Sequence, residues 1–366
     1  MNPLYGTLAG DEGKLADTFN VGIVGAGTIG EVHAQALQGV ENATVVAIAD
    51  PREDAGRKLA DAHGATWYPN YTDLLAQPDI DVVILGTPSG LHPEQAILAA
   101  QAGKHIITEK PMSITHDGAT RMIEAVDRAG VHMAVIFQNR LSRDVYRARR
   151  AIEQGLIGQP ILGSASVFWK RTQDYYDANG GWRGTWALDG GGALINQSIH
   201  TIDLLQWLMG GVASVQAHIA TLSHQIEAED AASASVRFHS GAVGSILVTT
   251  SASEDFPTRV EIVGTEGRIT IENNVVTRYE GKGELSDDLL NEHDLNMVRD
   301  WKPKEKFGEG HGRQLRLIFE ALAAGEEPPV PGKEARKAVD VILGIYESAR
   351  TGMRIAIAGS KPENAS

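Results

Sequence analysis

Between residues 21 and 139, short apolar runs alternate with stretches that have helical spacing. Strands separated by single helices form βαβ units, and these units build parallel sheets. This part of the chain is therefore predicted to be a doubly wound parallel sheet with helices on both faces. The strand-like runs are Val21–Gly25, Ala43–Asp50, Val82–Thr87, His105–Glu109 and His132–Gln138.

After Ile161 the strand signals become longer and alternate in polarity. Two pairs of runs flank short turns, one at Ser240–Gly241 and one around Glu266–Gly267, and short turns join antiparallel strands. The second half is therefore predicted to be an α+β domain with a large, open, mainly antiparallel sheet. The charged stretch Tyr279–Gly310 has little periodicity and is interpreted as a loop over that sheet. The predicted domains are a flexible extension at 1–20, a nucleotide-binding domain at 21–140, and a substrate-binding and oligomerisation domain at 141–366.

Composition excludes several classes of function. The 366 residues have a net charge of −14, which disfavours general binding to nucleic acid. The chain has no cysteine, so disulfides, thiolate nucleophiles and zinc–cysteine sites are excluded. No His and carboxylate residues recur at metal-ligand spacing, so no metal is expected. No signal peptide and no membrane-spanning run is predicted, and a cytoplasmic protein is expected.

A glycine-rich turn follows the first predicted strand. Gly25-Ala26-Gly27-Thr28-Ile29-Gly30 fits G-x-G-x-x-G and opens a helix, as in the Rossmann dinucleotide-binding fold. Asp50 ends the second strand and can accept hydrogen bonds from both adenosine ribose hydroxyls. It would repel a 2′-phosphate, so NAD is favoured over NADP. Arg52 weakens that preference, because a nearby arginine can accommodate the phosphate.

Two further motifs contain the candidate catalytic residues. Glu109-Lys110-Pro111 ends a strand at the sheet edge where ligands bind, so Lys110 is expected near the nicotinamide. Asn196 and His200 are four residues apart and are predicted to share a helix face. Asp203 follows three residues later and is a candidate to orient the imidazole of His200.

Together these motifs resemble the Gfo/Idh/MocA oxidoreductases, named for glucose–fructose oxidoreductase and inositol dehydrogenase. The resemblance covers nearly everything after Asn20. It implies a Rossmann domain, a second α/β domain with an open sheet, a nicotinamide cofactor, and a sugar or cyclitol between the domains. It rests on the segments Gly25–Gly30, Thr87-Pro88, Glu109-Lys110-Pro111, Trp182-Arg183, Gly190–Asp203 and His311-Gly312-Arg313-Gln314.

The resemblance also implies the binding residues. The expected cofactor ligands are Gly25, Gly27, Thr28, Ile29, Asp50, Arg52, Thr87, Pro88, His92, Glu109, Lys110, Gln138, Trp182 and Arg183. The candidate substrate ligands are Lys110, Arg140, Tyr176, Asn196, His200 and His311.

The catalytic roles follow from the resemblance and from the chemistry of the side chains. Lys110 and His200 are implied to converge on the reacting hydroxyl. Many members have Asp where this chain has Asn196, and an amide cannot take a proton. We therefore expect His200 to be the base, with Lys110 stabilising the developing alkoxide. Residues 182–197 look most like the subgroup that oxidises C3 of pyranoses.

Three functions remain open on the sequence. The first is a reversible NAD-dependent dehydrogenase of a sugar, nucleotide sugar or cyclitol. The second is a glycoside hydrolase that uses tightly held NAD for transient C3 oxidation, and the third is a non-catalytic NAD-dependent sensor. The apolar strands between Ala231 and Glu272 also predict a homodimer or homotetramer that forms through the open sheet.

Overall fold

The computed structural model describes residues 18–300 and 309–357. Most of the extension predicted at residues 1–20 lies outside this range. The first strand begins at Phe19, two residues before the predicted domain boundary.

The first part of the chain forms a six-stranded sheet in which every pair of neighbouring strands is parallel. The strand order is β3-β2-β1-β4-β5-β6, so the direction of winding reverses between β1 and β4. Ligands of such sheets bind beyond the carboxyl ends of the strands at this reversal. The elements are β1 (Phe19–Val24), α1 (Thr28–Leu37), β2 (Ala43–Ala49), α2 (Glu53–His63), β3 (Thr66–Tyr68), α3 (Tyr71–Leu75), β4 (Val82–Leu85), α4 (His92–Gln101), β5 (His105–Thr108), α5 (His116–Ala129) and β6 (Met133–Val135).

The second part forms an eight-stranded mixed sheet with the order β13-β12-β11-β7-β10-β9-β8-β14. Only β7 and β10 pair in parallel, and the two predicted hairpins are confirmed as β9–β10 and β11–β12. A π-helical turn at Ala193–Ser198 leads into α8. The elements are α6 (Arg143–Glu153), β7 (Pro160–Phe168), α7 (Gln173–Asp177), α8 (Ile199–Leu208), β8 (Val212–Ala220), β9 (Ala231–Phe238), β10 (Val243–Thr249), β11 (Arg259–Gly264), β12 (Gly267–Glu272), β13 (Val275–Glu280), α9 (Glu292–Met297), α10 (Glu309–Ala324), α11 (Gly332–Thr351) and β14 (Ile355–Ala356).

The two parts share buried surface. Leu315, Ile318 and Phe319 of α10 pack into the core formed by β1, β2 and β4 of the first sheet. Helices α8 and α11 cover one face of the second sheet, and their apolar residues join the core that lies between the two parts. Within residues 18–300 and 309–357, no helix has the length and apolar character needed to cross a bilayer.

Candidate active site

The glycine turn connects β1 to α1 at the carboxyl edge of the first sheet. Gly25 has a φ of +100°, which glycine adopts readily and other residues rarely do. A Cβ on Gly30 would lie 2.0 Å from the carbonyl oxygen of Gly25, so only glycine lets the helix approach the turn this closely. A Cβ on Gly27 would meet nothing within 4 Å, so the backbone there borders open space. A pyrophosphate fits that space, beside the free N–H groups at the start of α1.

Asp50 lies directly after β2 and is almost fully buried. Its carboxylate accepts a hydrogen bond from the backbone of Ala26 at 2.7 Å. It also accepts three from Arg52, one from the backbone at 2.8 Å and two from the guanidinium at 3.0 and 2.9 Å. Burial raises the pKa of Asp50, but these hydrogen bonds outweigh burial and lower it. Asp50 is therefore a carboxylate at neutral pH, and Arg52 covers the oxygens that a ribose would use.

This pairing leads to a prediction about cofactor choice. Asp50→Ala is expected to raise the use of NADP relative to NAD by roughly 10-fold, because it removes one charge-assisted hydrogen bond to the ribose and frees Arg52 to meet a 2′-phosphate. The matched variant Arg52→Ala should move the ratio the other way. The measurement is kcat/KM for both cofactors, and tighter binding of NADP than NAD by the unmodified protein in calorimetry would refute the role of Asp50.

A cavity of about 900 Å³ opens at this edge of the first sheet, facing residues 175–196 of the second part. Every residue predicted to bind the cofactor lines it, except Gln138. The predicted substrate ligands Lys110 and Asn196 line it as well. His92 supports the wall, since its two ring nitrogens lie 2.9 Å from the carbonyl oxygens of Thr87 and Pro111. Lining residues that the sequence did not indicate include Pro69, Tyr71, Leu91, Gln95, Tyr175 and Asn179.

Lys110 follows β5 and extends across to the second part of the chain. Its Nζ donates a hydrogen bond to the backbone carbonyl of Asn196 at 2.9 Å. Burial lowers the pKa of Lys110 from its usual value, while Glu109 and Asp189 partly oppose this and Arg183 adds to it. Lys110 therefore exchanges its proton at lower pH than a lysine in water.

Glu109 belongs to a buried cluster beside Lys110. Its Oε1 lies 2.9 Å from Nε2 of His33 and 3.3 Å from Nε2 of His311. Burial raises the pKa of Glu109, but hydrogen bonds from both histidines outweigh burial and hold it well below the usual range. The three side chains are close enough to hold a metal ion, which the linear spacing did not indicate. Hydrogen bonds to the carboxylate account for the arrangement without one. His311, predicted as a substrate ligand, is thus a partner of Glu109.

His200 lies at the start of α8, with its ring edge-on to Phe137 at 5.6 Å between centroids. Its Nδ1 is buried and has no hydrogen-bond partner among the described residues. Burial and the nearby Lys110 lower the pKa of His200 to about 3. The ring is therefore neutral at physiological pH and is a much weaker base than an imidazole in water.

Several predicted contacts are different in the structure. Asp203 does not orient His200, because both of its oxygens accept hydrogen bonds from the guanidinium of Arg140 at 2.6 Å. Arg140 also donates to Glu334 at 3.0 Å and is 4 % exposed, so its guanidinium is buried and paired with two carboxylates.

Five predicted residues do not line the cavity, namely Arg140, His200 and His311, described above, and Tyr176 and Gln138. Tyr176 is buried, and its hydroxyl is hydrogen-bonded to Thr250 at 2.8 Å. Its neighbour Tyr175 lines the cavity instead. Adjacent residues on the short helix α7 point in different directions, so the two neighbouring tyrosines could not be told apart from the sequence alone. Gln138 follows β6, does not line the cavity, and has a buried Oε1 without a partner in the described part of the chain.

Asp189 is a buried residue of the site, and the sequence did not indicate a role for it. It precedes the three glycines before the π-helical turn and accepts a hydrogen bond from Nδ2 of Asn196 at 2.6 Å. The side chain of Asn196 also contacts Gln197, which donates to its Oδ1 at 2.5 Å. The sequence feature that could have identified Asp189 is its position directly before three consecutive glycines.

Comparisons with known proteins agree with this arrangement. A profile for an oxidoreductase family with an NAD-binding Rossmann fold matches residues 19–137, and the C-terminal domain profile of the same family matches residues 145–270. The chain belongs to the Gfo/Idh/MocA family. It is therefore an NAD-binding oxidoreductase, and the resemblance inferred from the motifs is confirmed.

Its relatives include dehydrogenases of sugars and cyclitols. The WlbA dehydrogenase of Bordetella pertussis, solved with NADH and UDP-GlcNAcA, superposes with a TM-score of 0.85 at 36% identity, covering 93% of this chain and 98% of that one. Levoglucosan dehydrogenase of Pseudarthrobacter phenanthrenivorans is 31% identical over 73% of this chain and 75% of its own length. Myo-inositol 2-dehydrogenase of Thermotoga maritima is 27% identical over 88% and 93%, respectively. Over most of its length, this Gfo/Idh/MocA protein is thus similar to dehydrogenases of sugars and cyclitols.

Proposed function

We propose that this protein oxidises the C3 hydroxyl of a pyranose, in a sugar or a nucleotide sugar, and transfers the hydride to NAD. The observation that carries the proposal is Lys110, a lysine with a lowered pKa that lines the NAD cavity and is held by the second part of the chain. C3 is supported by the resemblance of residues 182–197 to the subgroup that oxidises this position. The likeness to a dehydrogenase solved with UDP-GlcNAcA supports a nucleotide sugar.

Oxidation of a secondary alcohol requires removal of the hydroxyl proton while the carbon loses a hydride. When bound, nicotinamide supplies the hydride acceptor at its C4. We assign the proton to Lys110: its neutral amine accepts the proton, and the resulting ammonium then stabilises the new carbonyl oxygen. A general base works best when its pKa lies near the working pH, and burial moves Lys110 in that direction.

His200 has a different role in this proposal from the one that the sequence suggested. A group with a pKa of about 3 seldom holds a proton at neutral pH, so His200 is a poor final acceptor. Nδ1 of its neutral ring is buried and has no partner among the described residues, and Lys110 is close enough for its charge to lower the pKa of the ring. We propose that the other ring nitrogen, Nε2, contacts a substrate hydroxyl and thereby orients it toward Lys110.

The charges in the cavity wall favour an anionic substrate. The guanidinium of Arg183 lies over the rings of Tyr175 and Trp182, at 4.6 and 5.1 Å from their centroids. Arg183 lines the cavity and stays positively charged, whereas Lys110 is neutral when it acts as the base. A guanidinium in the wall attracts a carboxylate or a phosphate.

A substrate screen tests the proposal. NADH formation is measured with neutral hexoses, inositols, uronates and nucleotide sugars, and anionic pyranoses are expected to give the highest kcat/KM. For a glycoside or nucleotide sugar, in which C1 carries no free aldehyde, reduction of the product with borodeuteride then marks the oxidised carbon, and deuterium is expected at C3. Deuterium at another ring carbon would refute the assignment of C3, and a clear preference for neutral inositols would refute that of an anionic substrate.

We also propose that the protein forms a homodimer or homotetramer through the outer face of the large sheet. Leu162 of β7 pairs in register with Val243 of β10, and Leu247 lies on the same face. These three side chains are 42 %, 55 % and 42 % exposed, although they belong to central strands. Exposed apolar residues at the centre of a sheet are typical of a surface that a second copy covers.

Leu247→Glu tests this assembly. A charge in the centre of the proposed interface should shift the protein to monomers, because the carboxylate would be buried without a partner. Light scattering at micromolar concentration measures the shift, and Leu222→Glu at another exposed leucine is the control. An unmodified protein that is already monomeric would contradict the proposal.

A further inference from the structure

Asp189 is a buried carboxylate with both oxygens engaged. It is 0 % exposed, its Oδ1 accepts from Nδ2 of Asn196 at 2.6 Å, and its Oδ2 accepts from the backbone N–H of Gly184 at 2.8 Å. Its place is fixed by the following loop, where Gly190 has a φ of +81° and a Cβ would lie 2.4 Å from Ile114. Asp189 therefore has little freedom to move away from Asn196.

Asn196 connects this carboxylate to Lys110. Its Nδ2 donates to Asp189, its Oδ1 accepts from Gln197 at 2.5 Å, and its backbone carbonyl accepts from Nζ of Lys110 at 2.9 Å. The side chain at 196 must therefore donate on one side and accept on the other, which an amide does and a carboxylate does not. A shift of residue 196 would also displace the carbonyl that holds Lys110.

We propose that Asp189 is a positioning residue for the dehydrogenase reaction: its carboxylate fixes the amide of Asn196, and through the Asn196 backbone it fixes the amine of Lys110. The positioning role rests on the proposed role of Lys110, whereas the need for one carboxylate and one amide rests on the hydrogen bonds of the pair. The charged and titratable groups that act on Asp189 or feel its charge are Lys110, Arg183, Tyr175 and Tyr346.

Aspartate is therefore not expected to be tolerated at position 196 of this chain, although many members of the family have it there. In Asn196→Asp, two carboxylates would share the 2.6 Å contact, so one must take a proton or both must separate. Gly184 and Asn196 donate to different oxygens of Asp189. In Asp189→Asn, one of these two positions becomes an NH₂ group, so the remaining oxygen accepts from Gly184 or from Asn196, but not from both. In the exchanged pair Asp189→Asn/Asn196→Asp, the new amide accepts from Gly184 and donates to the new carboxylate. Every hydrogen bond of the pair is then restored.

The experiment compares these three variants with the unmodified protein. At pH 8, each single variant is expected to lower kcat by roughly 10-fold or more, and the exchanged pair should recover to within about 3-fold of the original. Asn196→Asp should also regain activity relative to the unmodified protein as the pH falls, because one proton then bridges the carboxylates. Asp174→Asn, the same change at an exposed position of α7, is the control.

Melting temperature and NADH binding are measured on the same proteins. Recovery of kcat, melting temperature and the original pH profile in the exchanged pair would support the proposal. It is overturned if Asn196→Asp keeps full kcat and melting temperature at pH 8, or if the exchanged pair is no better than Asn196→Asp. If no sugar is turned over by the unmodified protein, the proposed function fails, and the melting temperatures alone still decide whether the pair needs one carboxylate and one amide.

Discussion

Lys110→Met is expected to lower the turnover of sugar oxidation roughly 10²–10⁴-fold, the usual range for a positioned acid–base group. Methionine fills a similar volume but can neither accept the hydroxyl proton nor carry the charge that stabilises the oxygen. Because Lys110 lies in the wall of the NAD cavity, binding of NADH is measured separately by fluorescence. Lys58→Met, the same change on the exposed surface of α2, should leave turnover unaltered.

Lys110→Arg separates the two roles of Lys110. Arginine keeps the positive charge, but its pKa above 12 prevents it from giving up a proton at working pH. If Lys110 transfers the proton, the arginine variant should lose about as much turnover as the methionine variant. In Lys110→Ala, added methylamine should then restore part of the rate, since a free amine can occupy the space. Turnover near normal in Lys110→Arg would reduce the role of Lys110 to electrostatics.

The pH dependence has a definite sign. Oxidation needs the neutral amine, so kcat/KM for the sugar should fall as the pH drops below the pKa of Lys110. Burial lowers that pKa, so the fall should begin at lower pH than for a lysine in water. The reverse reaction needs the ammonium and should show the opposite dependence. A flat profile between about pH 6 and 10 would contradict proton transfer by a lysine with a lowered pKa.

His200→Ala is expected to lower turnover about 10²-fold, the lower end of the range for a positioned acid–base group, while NADH binding persists. We expect a loss of turnover at the lower end of this range, because His200 is proposed to orient the hydroxyl and not to hold the proton. The glycine turn and Asp50 are untouched, so cofactor affinity should stay within about 3-fold, and His293→Ala on the exposed face of α9 is the control.

The combination with Lys110→Met should lose less than the sum of the two single effects, because both residues act on one hydroxyl. Full additivity would indicate that they serve different steps. Near-normal turnover in His200→Ala would remove His200 from the site.

The cofactor-binding residues could be predicted from the sequence, because the position of each depends on a single turn or on the end of a single strand. Gly25 and Gly30 lie within one turn, where a positive φ at Gly25 and the close approach of the backbone at Gly30 restrict the residue type. Asp50 and Lys110 are placed by the rule that the carboxyl ends of parallel strands share one edge. These positions need no knowledge of contacts between distant parts of the chain.

The substrate half depends on such distant contacts and was predicted less well. Arg140 pairs with Asp203, which is 63 positions away, and neither the spacing of Asp203 from His200 nor the position of Arg140 in the chain indicated this pairing. The helix before His200 is π-helical over Ala193–Ser198, so a spacing of four there does not have the geometry of an α-helix. The stretch interpreted as a loop contains the short helix α9, whose start at Asn291 has a capping box with Asp294.

The ratio of NADH to oxidised sugar shows whether this protein is a dehydrogenase or a hydrolase that uses NAD transiently. The best sugar from the substrate screen is incubated with excess NAD, and NADH and the products are quantified in the same samples by absorbance and mass spectrometry. We expect one NADH for each molecule of oxidised sugar, which is lighter than the substrate by two hydrogens. Neither product is expected from Lys110→Met. Release of a cleaved sugar with no net NADH would contradict it and indicate a hydrolase that uses NAD transiently.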